Sequence, residues 1–169
     1  MSSPDHSQIS ATVLGQLLDQ HAPALTLYAR QLCSEPEDAV QAAFVKLASR
    51  AGLPDNPAAW LFRVVRNEAF QITRASKRRK NREAIAAQTR STWFESDPSA
   101  AIDGQAAVEA LAHLPALQKE IVVARIWGKL TFKEIGKLVR QSDSTTHRTF
   151  QQAIQELRKR LEEPCKTNR

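Results

Sequence analysis

Glycine is scarce: five residues in a chain of 169. A fold built from many short strands needs glycine at its turns, so this scarcity favours helices over a turn-rich β architecture. Only two cysteines occur, Cys33 and Cys165, far apart and without metal-binding or redox spacing. Neither a zinc ribbon nor a disulfide framework is expected, and unpaired thiols point to a reducing compartment. No apolar run approaches the length that spans a bilayer, and no secretory h-region is visible, so a cytoplasmic protein is expected. The histidines, His6, His21, His113 and His147, sit in unrelated contexts. With no nucleophile–base pair, metal-ligand spacing or glycine-rich phosphate loop, neither an enzyme nor a cofactor is expected.

Charge is present, and unevenly spread. The net charge of +6 says less than its distribution. Residues 1–60 carry a net −3, 61–90 a net +7, 91–120 a net −4 and 121–169 a net +6. Two basic segments separated by an acidic one imply two polyanion-binding surfaces on separate bodies.

Helical periodicity runs through the first half. Val13, Leu14, Leu17, Leu18, Leu25, Tyr28 and Leu32 repeat at helical spacing, and Pro23 is a place where that pattern could kink or break. Ser34-Glu35-Pro36-Glu37 has the form of a capping box. It precedes a helix that buries Val40, Phe44 and Leu47 and leaves Asp38, Gln41 and Lys46 to face something else. Asn56 is placed to cap the next helix, with Pro57 at its first position. That helix opens apolar at Trp60, Leu61, Val64 and Val65, then turns basic through Arg63, Arg66, Arg74, Lys77, Arg78, Arg79, Lys80 and Arg82. Complementing the helix macrodipole accounts for one or two cations at a C-terminal end, not for a run this dense. Phosphates opposed to such a run would give salt-sensitive affinity.

From Gln88 to Ile102 periodicity fails and polar residues, a proline and acidic charge take over, which reads as a flexible linker. Trp93 and Phe94 are the exception, with the composition of a segment that packs back on a domain. Asp103 is placed to cap a further helix through Val108 and Leu111.

Three short helical patterns follow between Leu114 and Leu161. Pro115 suits a first turn, Ile121, Val122 and Ile126 share a face, and Gly128 offers a left-handed stop. Thr131 with Glu134 forms a capping box before Ile135, Leu138 and Val139. A polar turn, Arg140-Gln141-Ser142-Asp143, leads to a longer helix with an apolar stripe of Phe150, Ile154, Leu157 and Leu161. Two helices across a tight turn, the second basic and polar on its free face, have the form of a helix-turn-helix. By pattern alone, an ordinary helical hairpin in an all-α domain fits as well.

Together these stretches resemble one family. From about Val13 to Leu161 the chain looks like an RNA polymerase sigma factor of the extracytoplasmic-function (ECF) group. Glu37-Asp38-Ala39-Val40-Gln41-Ala42-Ala43-Phe44 resembles the helix that docks on polymerase. Pro57 to Asn67, PAAWLFRVVRN, resembles a very characteristic segment of the helix that meets the minus-ten promoter element. Leu114-Pro115, Arg125, Thr131, Glu134-Ile135, Thr145, Ala153 and Leu157 to Leu161 sit where the second domain carries its helix-turn-helix signature.

The resemblance implies an all-α fold of two small helical domains: 10–88, like sigma region 2, and 104–163, like region 4, joined by a linker at 89–103. It implies core RNA polymerase and promoter DNA, duplex and melted, as partners, and an anti-sigma factor as a further one. Polymerase would be met by Glu37, Asp38, Gln41 and Phe44. Asn67 becomes the candidate base contact at the minus-ten element and Gln71 follows one turn along, with Arg63, Arg66, Arg74, Lys77 and Arg78 on phosphates. Trp60 is read as core rather than as a base-stacking ring. At the minus-thirty-five element the candidates are Arg125, Thr145, His147, Arg148, Gln151 and Gln152. His147 fits equally a surface histidine without a role. Arg158, Lys159 and Arg160 fit macrodipole complements.

The turn departs from the family's pattern. Arg140 and Gln141 replace the usual glycine and aliphatic residue, and Thr146 replaces the usual valine. Arg140 is expected to be strained if the turn keeps a positive φ. A helix-turn-helix regulator, or a sigma-like adaptor without promoter melting, is the alternative reading. The docking helix at Glu37 discriminates against a simple repressor, which needs no such face.

Overall fold

The computed structural model describes residues 9–86 and 110–162, all α-helix and connecting turns among the described residues. The expected linker, with Trp93, Phe94, Asp103 and Val108, lies outside them, as does Cys165.

The first domain packs α1 (Ala11–Arg30), α2 (Pro36–Ala48) and α3 (Pro57–Ala86). Ser10 caps α1, its Oγ accepting from Val13 N–H at 3.3 Å. Pro23 leaves α1 continuous rather than dividing it. It sits on the exposed side, where water can hydrate the carbonyl it frees, and the apolar residues on both sides of it pack on the core. The capping box expected at Ser34 does not form: Pro36 takes the first helical position, so Glu35 is the N-cap and makes no side-chain cap bond. Glu37 instead pairs with Arg30 at 3.5 Å. Asn56 caps α3 as expected, its Oδ1 accepting from Ala59 N–H at 2.9 Å.

The second domain packs α4 (Ala116–Ile126), α5 (Phe132–Val139) and α6 (Asp143–Glu162). Thr131 and Glu134 form the full reciprocal capping box of α5. The end of α4 differs from expectation. The left-handed residue is Lys129, at φ 54°, and not Gly128. Gly128 is needed for another reason: a β-carbon there would lie 2.5 Å from Phe62 Cζ, on the other domain. The last carbonyls of α4 accept from Gly128 N–H and Leu130 N–H.

One apolar core runs through both domains. Leu25, Tyr28, Leu47, Leu61, Phe62 and Val65 share one buried cluster with Ile121, Val122, Ile135 and Val139. The Tyr28 and Phe62 rings meet edge to face, centroids 5.0 Å apart. The domains therefore pack directly on one another, through α1 against α4 and α3 against α5.

Candidate nucleic-acid and polymerase interface

On α3 the apolar face (Leu61, Phe62, Val65, Ala69) is fully buried. Arg63, Asn67, Gln71, Arg74 and Arg78 therefore emerge on the opposite side at intervals of three and four, one exposed stripe, with Lys77 exposed beside it. Two contacts fix that helix: Lys46 Nζ to Glu68 at 2.6 Å from α2, and Thr73 Oγ1 donating to the Leu32 carbonyl at 2.9 Å. The stripe is thus held on a rigid rod whose far end carries the dense cations.

Arg66 does not share this exposure. Its Nε donates to Glu120 Oε2 at 2.7 Å and its guanidinium lies over the Phe70 ring at 4.6 Å. Burial works against its charge, but the Glu120 carboxylate more than offsets that and raises its pKa. Tyr28, fully buried, donates to the same Glu120 oxygen at 3.0 Å. Burial first, and then Glu120, push the Tyr28 hydroxyl well above its usual range. Glu120 was not legible as a functional residue, because periodicity treats each charge without its partner. Trp60 is half-buried with Arg50 over its ring at 5.4 Å. It lines a cleft of about 430 Å³ between the domains, together with Asn56, Arg63, Glu134 and Lys137.

A second surface lies between α1 and α2. Glu37, Gln41 and Phe44 line a groove of about 570 Å³ with Leu14, Leu18 and Val45, and Asp38 is exposed nearby. Leu18 is 44% and Val45 59% exposed, so the groove has an apolar floor and an acidic edge. Leu18 and Val45 were missed in the sequence because each adds an apolar residue beside a helix's buried stripe, where it reads as more core.

In the second domain α5 and α6 cross the turn Arg140–Ser142 as a helix-turn-helix. His147, Arg148, Gln151 and Gln152 are exposed on α6. His147 stacks edge-on against Phe132 at 4.8 Å, and its Nε2 lies 3.4 Å from Gln151 Nε2. Two candidates are engaged in structure. Arg125 donates to the Leu130 carbonyl at 2.8 Å and lies over Phe132 at 4.8 Å. Thr145 is half-buried, and its hydroxyl accepts from Ser142 Oγ at 2.8 Å at the start of α6. The turn carries its anomalies as expected. Arg140 is left-handed, φ 61° and ψ 46°. Thr146 is fully buried and resolves its polarity by donating to the Ser142 carbonyl at 2.8 Å. The Gln141 Oε1 is buried without a partner.

Residues 17–80 match sigma-70 region 2, and residues 110–159 match sigma-70 region 4. The chain belongs to the sigma-70 family. The two matches leave the intervening stretch between them, in the order of a two-domain sigma factor. No curated protein matches this sigma-70 chain at a significant level. Among solved structures it is similar to the sigma factor RpoE from Bartonella quintana, crystallised in complex with the anti-sigma factor NepR. That likeness has a TM-score of 0.64 at 23% identity, over 88% of this chain and 96% of that one. It is also similar to CnrH, solved with the cytosolic domain of CnrY, at a TM-score of 0.57 and 23% identity over 90% of each chain. At that identity the two structures speak for the fold.

Proposed function

We propose that the chain is a sigma factor of the ECF group that binds core RNA polymerase and directs initiation at chosen promoters. The observation that carries this is the pairing of regions 2 and 4, in order, on one helical chain. In this reading the chain supplies recognition and melting rather than bond chemistry. We take 10–88 as the polymerase-docking and minus-ten domain, 104–163 as the minus-thirty-five domain and 89–103 as the linker.

The groove bearing Glu37, Gln41 and Phe44, with Asp38 at its edge, offers apolar floor and negative charge to a basic helix of polymerase. The exposed stripe on α3 suits one strand of an opened duplex. Asn67 and Gln71 accept a splayed base, while Arg63, Arg74, Lys77 and Arg78 hold phosphates. Arg148, Gln151 and Gln152 on α6 suit base edges in a major groove, with His147 beside them. Arg125 and Thr145 act there chiefly by positioning α5 and α6. Work alongside polymerase places the chain in the cytoplasm, in keeping with the finding that no described helix is long and apolar enough to cross a membrane. Both similar structures hold a second protein, which supports an anti-sigma partner for this chain as well.

Capture of core polymerase by the immobilised chain tests this reading. Wild type should retain polymerase and Val45→Asp, which puts charge on the groove without disturbing the core, should lose it. A wild-type chain that captures no polymerase is not acting as a sigma factor.

A further inference from the structure

The two DNA-binding surfaces cannot both engage a promoter in the arrangement observed. The minus-ten and minus-thirty-five elements lie about 25 base pairs apart, roughly 85 Å at 3.4 Å per pair. A compact chain of this length has a radius of gyration of about 15 Å, a diameter of roughly 40 Å. The domains must therefore part. The segment 87–109 is long enough, at up to about 3.3–3.6 Å per residue, for them to move tens of ångströms.

What parts is a defined set of contacts. Glu120 on α4 is 5% exposed, and the two hydrogen bonds of its Oε2 both leave its own domain, to Arg66 of α3 and Tyr28 of α1. Asn56 Nδ2 reaches across to Glu134 Oε1, and Phe62 seats against Gly128. A buried ion pair of this kind roughly breaks even against its desolvation, so it sets orientation more than it adds strength. Removing one partner is different: it strands the other charge in the closed interface, and parting the domains relieves that cost. In the closed form the Arg66 charge is committed to a carboxylate, although Arg66 stands on the same helix as the promoter-facing stripe.

We propose that Glu120 is an internal latch. It holds the free chain closed by engaging Tyr28 and Arg66, and on opening Arg66 passes from the Glu120 carboxylate to a promoter phosphate. The second half of this statement rests on the promoter-binding reading above; the first half does not.

Small-angle X-ray scattering on the free full-length chain tests the latch without polymerase. Wild type should scatter as a body with its two helical domains in contact, and Glu120→Ala should expand by a quarter or more in radius of gyration with its helicity kept. Tyr28→Phe should expand less. Arg66→Glu should open the chain, and combining it with Glu120→Arg should close it again. An expanded wild type, or a Glu120→Ala chain as compact as wild type, overturns the latch. So does failure of the charge swap to restore closure. The charge-swapped chain should close yet still fail to open promoters. If it opens them like wild type, Arg66 does not pass to phosphate. Wild type that binds no polymerase would end the functional reading and the transfer step, and leave the scattering result to decide the latch.

Discussion

Replacing Arg140 by Gly should make the protein more stable, although it removes a charged side chain from the turn of a DNA-binding motif. Arg140 sits at φ 61°, ψ 46°, where a β-carbon costs about 1–2 kcal/mol. Glycine removes that cost and brings an unfolded-state entropy penalty of about 0.5–1 kcal/mol, so the net gain is about 0.5–1 kcal/mol. The side chain itself is exposed, so little packing is lost. The neighbour adds to the case. Gln141 Oε1 is buried without a partner, a desolvation loss of about 1–3 kcal/mol that Gln141→Ile removes. The two sites are adjacent, so their effects will not add cleanly, and about 2 kcal/mol is expected for the pair. With the core continuous across both domains, the unfolding unit is large, and each kcal/mol shifts Tm by about 2–4 °C. Calorimetry of the full chain should then show a rise of a few degrees for Arg140→Gly and more for the double variant. Arg140→Ala is the control. It keeps the β-carbon and should gain nothing. Equal Tm values for the Gly and Ala variants would refute the left-handed assignment.

Three further outcomes follow from the same geometry. Asn67→Ala, or Arg74→Ala with Arg78→Ala, should impair open-complex formation, read by permanganate footprinting, more than polymerase capture; equal losses in both would remove the stripe from promoter contact. Arg148→Ala should weaken binding to the upstream element by about 1–3 kcal/mol, and the loss should vanish on promoters with that element scrambled. Glu134 gives a pH dependence. The Thr131 backbone N–H, and then the Thr131 hydroxyl and the Asn56 amide, hold its carboxyl below the usual range against the opposing effect of burial. A carboxyl depressed in the folded state adds stability above its unfolded pKa, about 4.3, and that stability is lost as pH falls through the lower folded value. A Glu134→Gln chain, titrated from pH 6 to 3, should lose less Tm over that window than wild type.

Much of this could be read from the chain itself, for local reasons. Asn56 before Pro57 and Thr131 before Glu134 cap their helices as their spacing says, because a cap involves neighbours only. The α3 stripe emerges because apolar residues at helical spacing decide which side faces out. Local signals failed where register or distance intervened. Pro36 could occupy the first or second helical position, and that single step turned a capping box into a plain N-cap at Glu35. Gly128 is required by Phe62, a residue of the other domain, rather than by its own φ. Arg66 looked like its basic neighbours until folding brought it to Glu120, 54 positions away in the chain.

Run-off transcription with core polymerase on a promoter library measures sigma activity most directly. Adding the chain should yield discrete transcripts from a subset of promoters sharing an upstream and a downstream element at fixed spacing. Transcript yield no greater than with core polymerase alone, across the whole library, would contradict the sigma-factor reading.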